Sequence, residues 1–101
     1  MNDLSGKSAL ITGAGNGIGR ESAIRIATDG AAIMCADLDS AAAQNTANII
    51  IQQGGKAEAL TLDVANEDAV KSAIQDTATA FGRLDVIFNN AGIGGGTDWH
   101  K

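Results

Sequence analysis

The stretch that decides the fold is "TGAGNGIG", Thr12 to Gly19, with glycine at positions 13, 15, 17 and 19. It follows "SALIT", Ser8 to Thr12, a short apolar run that reads as a buried strand. It precedes "IGRESAIRIATDG", in which Ile18, Ser22, Ala23, Ile26 and Ala27 fall on one helical face and Gly30 stands at the C-terminal cap. A bare backbone between a buried strand and a helix is where a parallel α/β sheet receives a phosphate. The new helix offers unpaired N–H groups and a partial positive charge there.

The same alternation continues outward. "AAIMCA", Ala31 to Ala36, predicts a second strand, and Asp39 or Ser40 caps a helix running to about Gln53, stopped by Gly54 and Gly55. "KAEALTLDV" is a third strand, with Ala57, Ala59 and Leu62 compatible with burial. Asn66 caps a third helix, and Glu67 and Asp68 sit in its first turn, where the dipole favours acids. Its apolar stripe is Val70, Ala73, Ile74, Thr77 and Phe81, and Gly82 ends it. "LDVIFNNAG" is the fourth strand with its exit turn, and "GIGGG", Gly92 to Gly96, is a loop. The order β-α-β-α-β-α-β with short connections predicts an α/β fold. It is a Rossmann-type parallel sheet with right-handed crossovers, helices on both faces and strand order 3-2-1-4.

The glycines have separable tasks. Gly13 turns the chain out of the strand, glycine at 15 or 17 clears the way for a pyrophosphate, and Gly19 lets helix and strand pack closely. The common G-x-G-x-x-G spacing fails, because its last position falls on Ile18 or Arg20, and a Walker loop fails for want of a following Gly-Lys-Ser/Thr. Thr-Gly-x-x-x-Gly-x-Gly fits, as Thr12, Gly13, Gly17 and Gly19. Asp37 closes the second strand, eighteen residues beyond Gly19. A carboxylate there accepts hydrogen bonds from adenosine ribose hydroxyls and repels a 2′-phosphate. No arginine or lysine stands at Asn16 or Leu38 to attract one, so the expected cofactor is NAD and not NADP. The alternative for Asp37 is a turn or cap residue, as for Asp39.

"TGAGNGIG", "CADLD", "TLDV" and "NNAG", in this order, resemble the N-terminal half of the short-chain dehydrogenase/reductase family over about residues 5–95. The resemblance implies that Gly13, Asn16, Gly17, Ile18 and Gly19 form the pyrophosphate loop, and that Asp37 and Leu38 clamp the adenosine ribose. It further implies that Asp63 and Val64 form the adenine pocket, and that Asn90, Ala91 and Gly92 line the cofactor and tie the sheet together. Asp63 also reads as a helix-entry acid, and Asn89 as turn chemistry. The family's reaction resembles hydride transfer between NAD(H) and an alcohol or carbonyl carbon. It uses a tyrosine as general acid/base with a lysine shortly after it, and a serine that holds the substrate oxygen.

This chain has no tyrosine, so the tyrosine-lysine motif cannot be present, and no catalytic residue is assigned. The expectation is therefore a partial dinucleotide-binding domain over residues 1–101, the cofactor-binding portion of a longer oxidoreductase, silent by itself. The alternative is a stand-alone nucleotide-binding or interaction module. Such a partial sheet leaves Val86, Ile87 and Phe88 on an apolar edge and the third helix nearly alone on its face. Both features invite association, such as a homo-oligomer.

Composition narrows the remaining classes. A net charge of -5 with a sequence pI of about 4.5 argues against nucleic acid as a partner. The longest pure aliphatic run, Ile49 to Ile51, is far too short for a membrane span, and "MNDLSGKSALITG" has no secretory pattern, so the chain is expected in the cytoplasm. The one cysteine, Cys35, permits no internal disulfide and reads as a core thiol. His100, the one histidine, reads as a solvated loop residue, and no Cys/His cluster has metal-ligand spacing. Trp99 lies in the loop after "NNAG", which the resemblance implies approaches the cleft mouth, and Asp76 and Asp85 read as solvated surface acids.

Overall fold

A computed structural model describes residues 3–90. Seven elements alternate: β1 (Ser8–Thr12), α1 (Gly17–Thr28), β2 (Ala32–Asp37), α2 (Ser40–Gln52), β3 (Lys56–Thr61), α3 (Glu67–Phe81) and β4 (Val86–Asn89). The strands form one sheet in the order β3-β2-β1-β4, and each neighbouring pair is parallel. All five residues of β1 are buried, as are the middle four of β2. Their uninterrupted apolar runs follow from this: both faces of the central strands are covered.

The helices divide unequally. On one face, Ala23 and Ala27 of α1 and Ala47 and Ile50 of α2 pack against Ala9, Ile11, Ile33 and Cys35. On the other, Ala73 of α3 meets Leu10, Met34 and Ala36 of the sheet and Leu62, with Val70, Ile74 and Phe81 partly buried beside them. Small residues line the first helical face, so α1 and α2 lie close to the sheet. The expected apolar edge is present. Val86, Ile87 and Phe88 of β4 are 49, 50 and 37% exposed. The third strand is shorter than the sequence suggests: Leu62 is buried at 4%, but lies beyond β3 and bonds back through its N–H to the Asp37 carbonyl at 3.0 Å.

The helix ends follow their sequence signals. Asp39 caps α2 by accepting the Ala42 N–H at 3.1 Å, and Asn66 caps α3 by accepting the Ala69 N–H at 3.0 Å. Gly82 ends α3 in the left-handed conformation. One expectation fails at the start of α1. Ile18 belongs by period to the buried stripe with Ala23 and Ala27, yet it is 67% exposed. In the first turn of α1 it is Gly19 and not Ile18 that meets the end of β1, since a Cβ at Gly19 would collide with the Gly13 carbonyl.

Asp85 is exposed, as its reading as a surface acid expects, but its carboxylate is not free. Its carboxylate accepts the Ser8 N–H at 2.9 Å and pairs with the Arg83 guanidinium at 2.5 Å. The Ser8 hydroxyl donates to the Arg83 carbonyl. These bonds join the entry of β4 to the entry of β1. The Arg83 hydrogen bonds, and then that of Ser8, hold the Asp85 carboxyl below the usual carboxylate range.

Candidate functional site

Because all four strands run the same way, their C-terminal ends share one rim. Thr12 lies opposite Ala36 and Asn89, and Asp37 opposite Thr61. The rim thus gathers the Gly13–Gly19 loop, Asp37 and Leu38, Asp63 and Val64, and Asn90, from four separate strand ends. Ala91 and Gly92, together with Trp99 and His100, lie outside the described residues.

The loop is held from below. The Ala14 N–H bonds the Ala36 carbonyl at 3.0 Å, and the buried Thr46 hydroxyl of α2 donates to the Ala14 carbonyl at 2.8 Å. Sequence reasoning did not single out Thr46. Its signal is a hydroxyl within the small-residue stripe Ala43, Thr46, Ala47 and Ile50 that α2 buries. Gly13 and Gly17 take φ of +64° and +60°, a region that side chains rarely adopt, and a Cβ at Gly17 would meet nothing within 4 Å. At Gly19 a Cβ would collide with the Gly13 carbonyl, which confirms close packing as the reason for that glycine.

The N-terminus of α1 is built differently from the other two. Asn16 occupies its N-cap with extended backbone, but its side chain makes no capping bond, and the first turn holds no acid. Among the described helices, α1 is the one whose N-cap side chain leaves the first N–H groups free. These donors sit at the rim with the helix dipole behind them, so the local field favours an anion.

Asp37 stands across the loop, partly exposed. Its Oδ2 accepts the Gly15 N–H at 2.8 Å and its Oδ1 the Asp39 N–H at 2.9 Å. The turn reading of Asp37 is thus met by the Asp39 N–H, and its second oxygen binds the glycine loop. Leu38 beside it is 70% exposed. Asp63 accepts the Ala65 N–H at 2.9 Å through Oδ1, as a turn acid does, and Val64 is 36% exposed. Ile18, Leu38 and Val64 are thus three exposed aliphatic side chains at strand ends of one rim.

At the β4 end, Asn89 is not a turn residue. It is the last residue of β4, and its Oδ1 accepts the Thr12 hydroxyl at 2.6 Å. The Thr12 Oγ1 in turn accepts the Asn90 N–H at 3.1 Å. The Asn90 Nδ2 is buried with no hydrogen-bond partner among the described residues. No local pattern announced the Thr12–Asn89 bond, because it spans 77 residues of sequence.

Other chemistry is weak here. Cys35 is fully buried, and burial pushes its thiol up to about 12, far from a reactive thiolate. Among the described residues no group of three His, Cys, Asp or Glu could hold a metal, and no helix is long and apolar enough to cross a membrane. An open groove of about 910 Å³, lined by Lys7, Gly30, Gly54 and Lys56 among others, lies at the opposite rim. The C-terminal ends of α1 and α2 meet there, so the dipoles oppose an anion despite the two lysines.

Comparison with known proteins matches residues 7–101 to the short chain dehydrogenase family model. Cyclohexanol dehydrogenase of Acinetobacter sp. (strain SE19) is 40% identical over 92 residues, 91% of this chain and 37% of that protein. The crystal structure of a hydroxysteroid dehydrogenase from Escherichia coli superposes with a TM-score of 0.84 at 38% identity, over 86% of this chain and 37% of that one. A 7α-hydroxysteroid dehydrogenase complexed with NADH and 7-oxo glycochenodeoxycholic acid superposes at 0.82, with 38% identity, over 84% of this chain and 33% of that one. The chain spans about a third of the length of these relatives.

Proposed function

The chain belongs to the short chain dehydrogenase family, and from that premise we propose that it binds NAD(H) along the carboxyl rim of its sheet. In this reading the free N–H groups at the start of α1, with Gly13, Asn16, Gly17, Ile18 and Gly19, receive the pyrophosphate. Asp37 and Leu38 receive the adenosine ribose, and Asp63 and Val64 the adenine. Asn90, Ala91 and Gly92 line the far side.

The observation that carries the reading is the pairing of opposite fields on one rim. An uncapped helix N-terminus that attracts phosphate faces a carboxylate that repels it. A dinucleotide satisfies both, with charged phosphates at one end of the site and neutral ribose hydroxyls at the other. A free phosphate or a 2′-phosphorylated dinucleotide satisfies only the first. The residues present also fit the group sterically, since the space above Gly17 is open. Each Asp37 oxygen has a lone pair beyond its present N–H bond.

Bound NAD supplies a hydride acceptor, and the family's reaction is hydride exchange with an alcohol or carbonyl carbon. The chain's own part is to bind and orient. It has no tyrosine, so no residue in it takes the general acid/base role of that family. The whole protein would act on a small alcohol or carbonyl compound in the cytoplasm, and the chain by itself would bind cofactor without turnover.

The test is calorimetric titration of the 101-residue chain with NAD and with NADP. NAD should bind and NADP bind more weakly. Asp37→Ala should weaken NAD about tenfold, the scale of a lost hydrogen bond to a charged acceptor. Equal affinity for both cofactors in the unsubstituted chain would defeat the assignment of Asp37.

A further inference from the structure

The glycine at position 15 has no backbone reason to be glycine. It is absent from the positive-φ residues of the chain, so an alanine could adopt its conformation. Its requirement is steric. A Cβ there would lie 2.5 Å from the Ala42 Cβ, 2.8 Å from the Asp37 Oδ2 and 3.1 Å from the Asp37 Cγ. The same residue donates its N–H to that Oδ2 at 2.8 Å. Its amide therefore draws the carboxylate in, and any side chain on it would push the carboxylate out.

We infer that Gly15 is a selectivity-determining position, acting through Asp37. The missing Cβ lets the Asp37 carboxylate close on the loop, and this clasp sets the preference for NAD over NADP. The inference rests on the reading of the site given above. Asp37 is fixed at both oxygens, by the Gly15 N–H on one side and the Asp39 N–H on the other. A carboxylate fixed in this way presents its remaining lone pairs in one direction, at no further ordering cost when a ribose arrives. It also holds its negative charge where a 2′-phosphate would have to lie. A side chain at position 15 would release it from that place. NAD would lose an oriented acceptor, and NADP would lose an obstacle.

The experiment measures NAD and NADP dissociation constants for the chain, Gly15→Ala, Asp37→Ala and the double variant. Gly15→Ala should lower the NAD preference about tenfold, and should change nothing further in the Asp37→Ala background. A loss that falls equally on both cofactors, or an equal change in both backgrounds, would overturn the inference. Pairing Gly15→Ala with Ala42→Gly removes the overlap with α2 and guards the fold. The preference should stay low in that variant, and its recovery would transfer the effect to α2 and overturn the role of Asp37. Amide hydrogen exchange without cofactor tests the clasp separately: the Gly15 N–H should exchange faster in Asp37→Ala than in the parent, and equal rates would refute the clasp. Failure of the unsubstituted chain to bind either cofactor would overturn the reading of the site and the selectivity with it, while the exchange rates would still decide the clasp.

Discussion

Thr46 and Asp37 do comparable work on successive residues of the glycine loop. Thr46 is fully buried and fixes the loop through the Ala14 carbonyl, whereas Asp37 reaches the next residue through its N–H. Thr46→Val keeps the shape but strands a buried carbonyl. It should destabilise the chain by about 1–3 kcal/mol, read as a lower urea midpoint with an unchanged slope. An unchanged midpoint would show that the loop finds another donor. Asp37 was legible in the sequence, because an acid at the end of a second strand has a defined place once the loop is known. Thr46 was not: a threonine among alanines on a helix face has the signature of core packing, and its bond depends on how α2 sits against a loop 32 residues away.

Caps and periods were readable at the scale of the elements because they are local. Asp39, Asn66 and Gly82 occupy the helix ends that their side chains or lack of one predict. The side-chain bonds between distant elements were not readable. The β1–β4 pair is stapled at both ends, by Asp85 and Arg83 at its entry and by Thr12 and Asn89 at its exit. Asp85 looked like surface charge because its partner Ser8 lies 77 residues away. Ile18 looked buried because periodicity cannot tell which residue of the first turn meets β1.

The entry staple has a pH signature. The Asp85 carboxyl titrates lower folded than unfolded, held down first by Arg83. Its stabilising contribution is complete above the ordinary aspartate value of about 3.9, and is lost as pH falls through the lower folded value. Asp85→Asn should lower the thermal midpoint at neutral pH. The gap from the parent should close as pH falls below about 4. A gap that stays constant into acid would mean that Asp85 acts by packing and not by charge.

For the whole molecule, the topology followed from the order of the elements. Parallel strands with short right-handed crossovers leave few arrangements, and 3-2-1-4 is the one observed. The same topology puts every strand's C-terminal end on one rim, so residues far apart in sequence meet there without any local instruction. It also leaves Val86, Ile87 and Phe88 on an edge. The two rims differ in field. The carboxyl rim has an uncapped helix N-terminus, three exposed aliphatic side chains and Asp37. The amino rim has two lysines, but two helix C-termini as well.

That contrast makes the location of NAD the central claim, and an ¹H–¹⁵N spectrum of the 101-residue chain titrated with NAD tests it most directly. Saturable shifts are expected in the amides of Gly13–Gly19, Asp37, Leu38, Asp63 and Val64, with Lys7, Gly54 and Lys56 unmoved. Shifts centred on Lys7, Gly54 and Lys56, or no saturable shift at all, would contradict it.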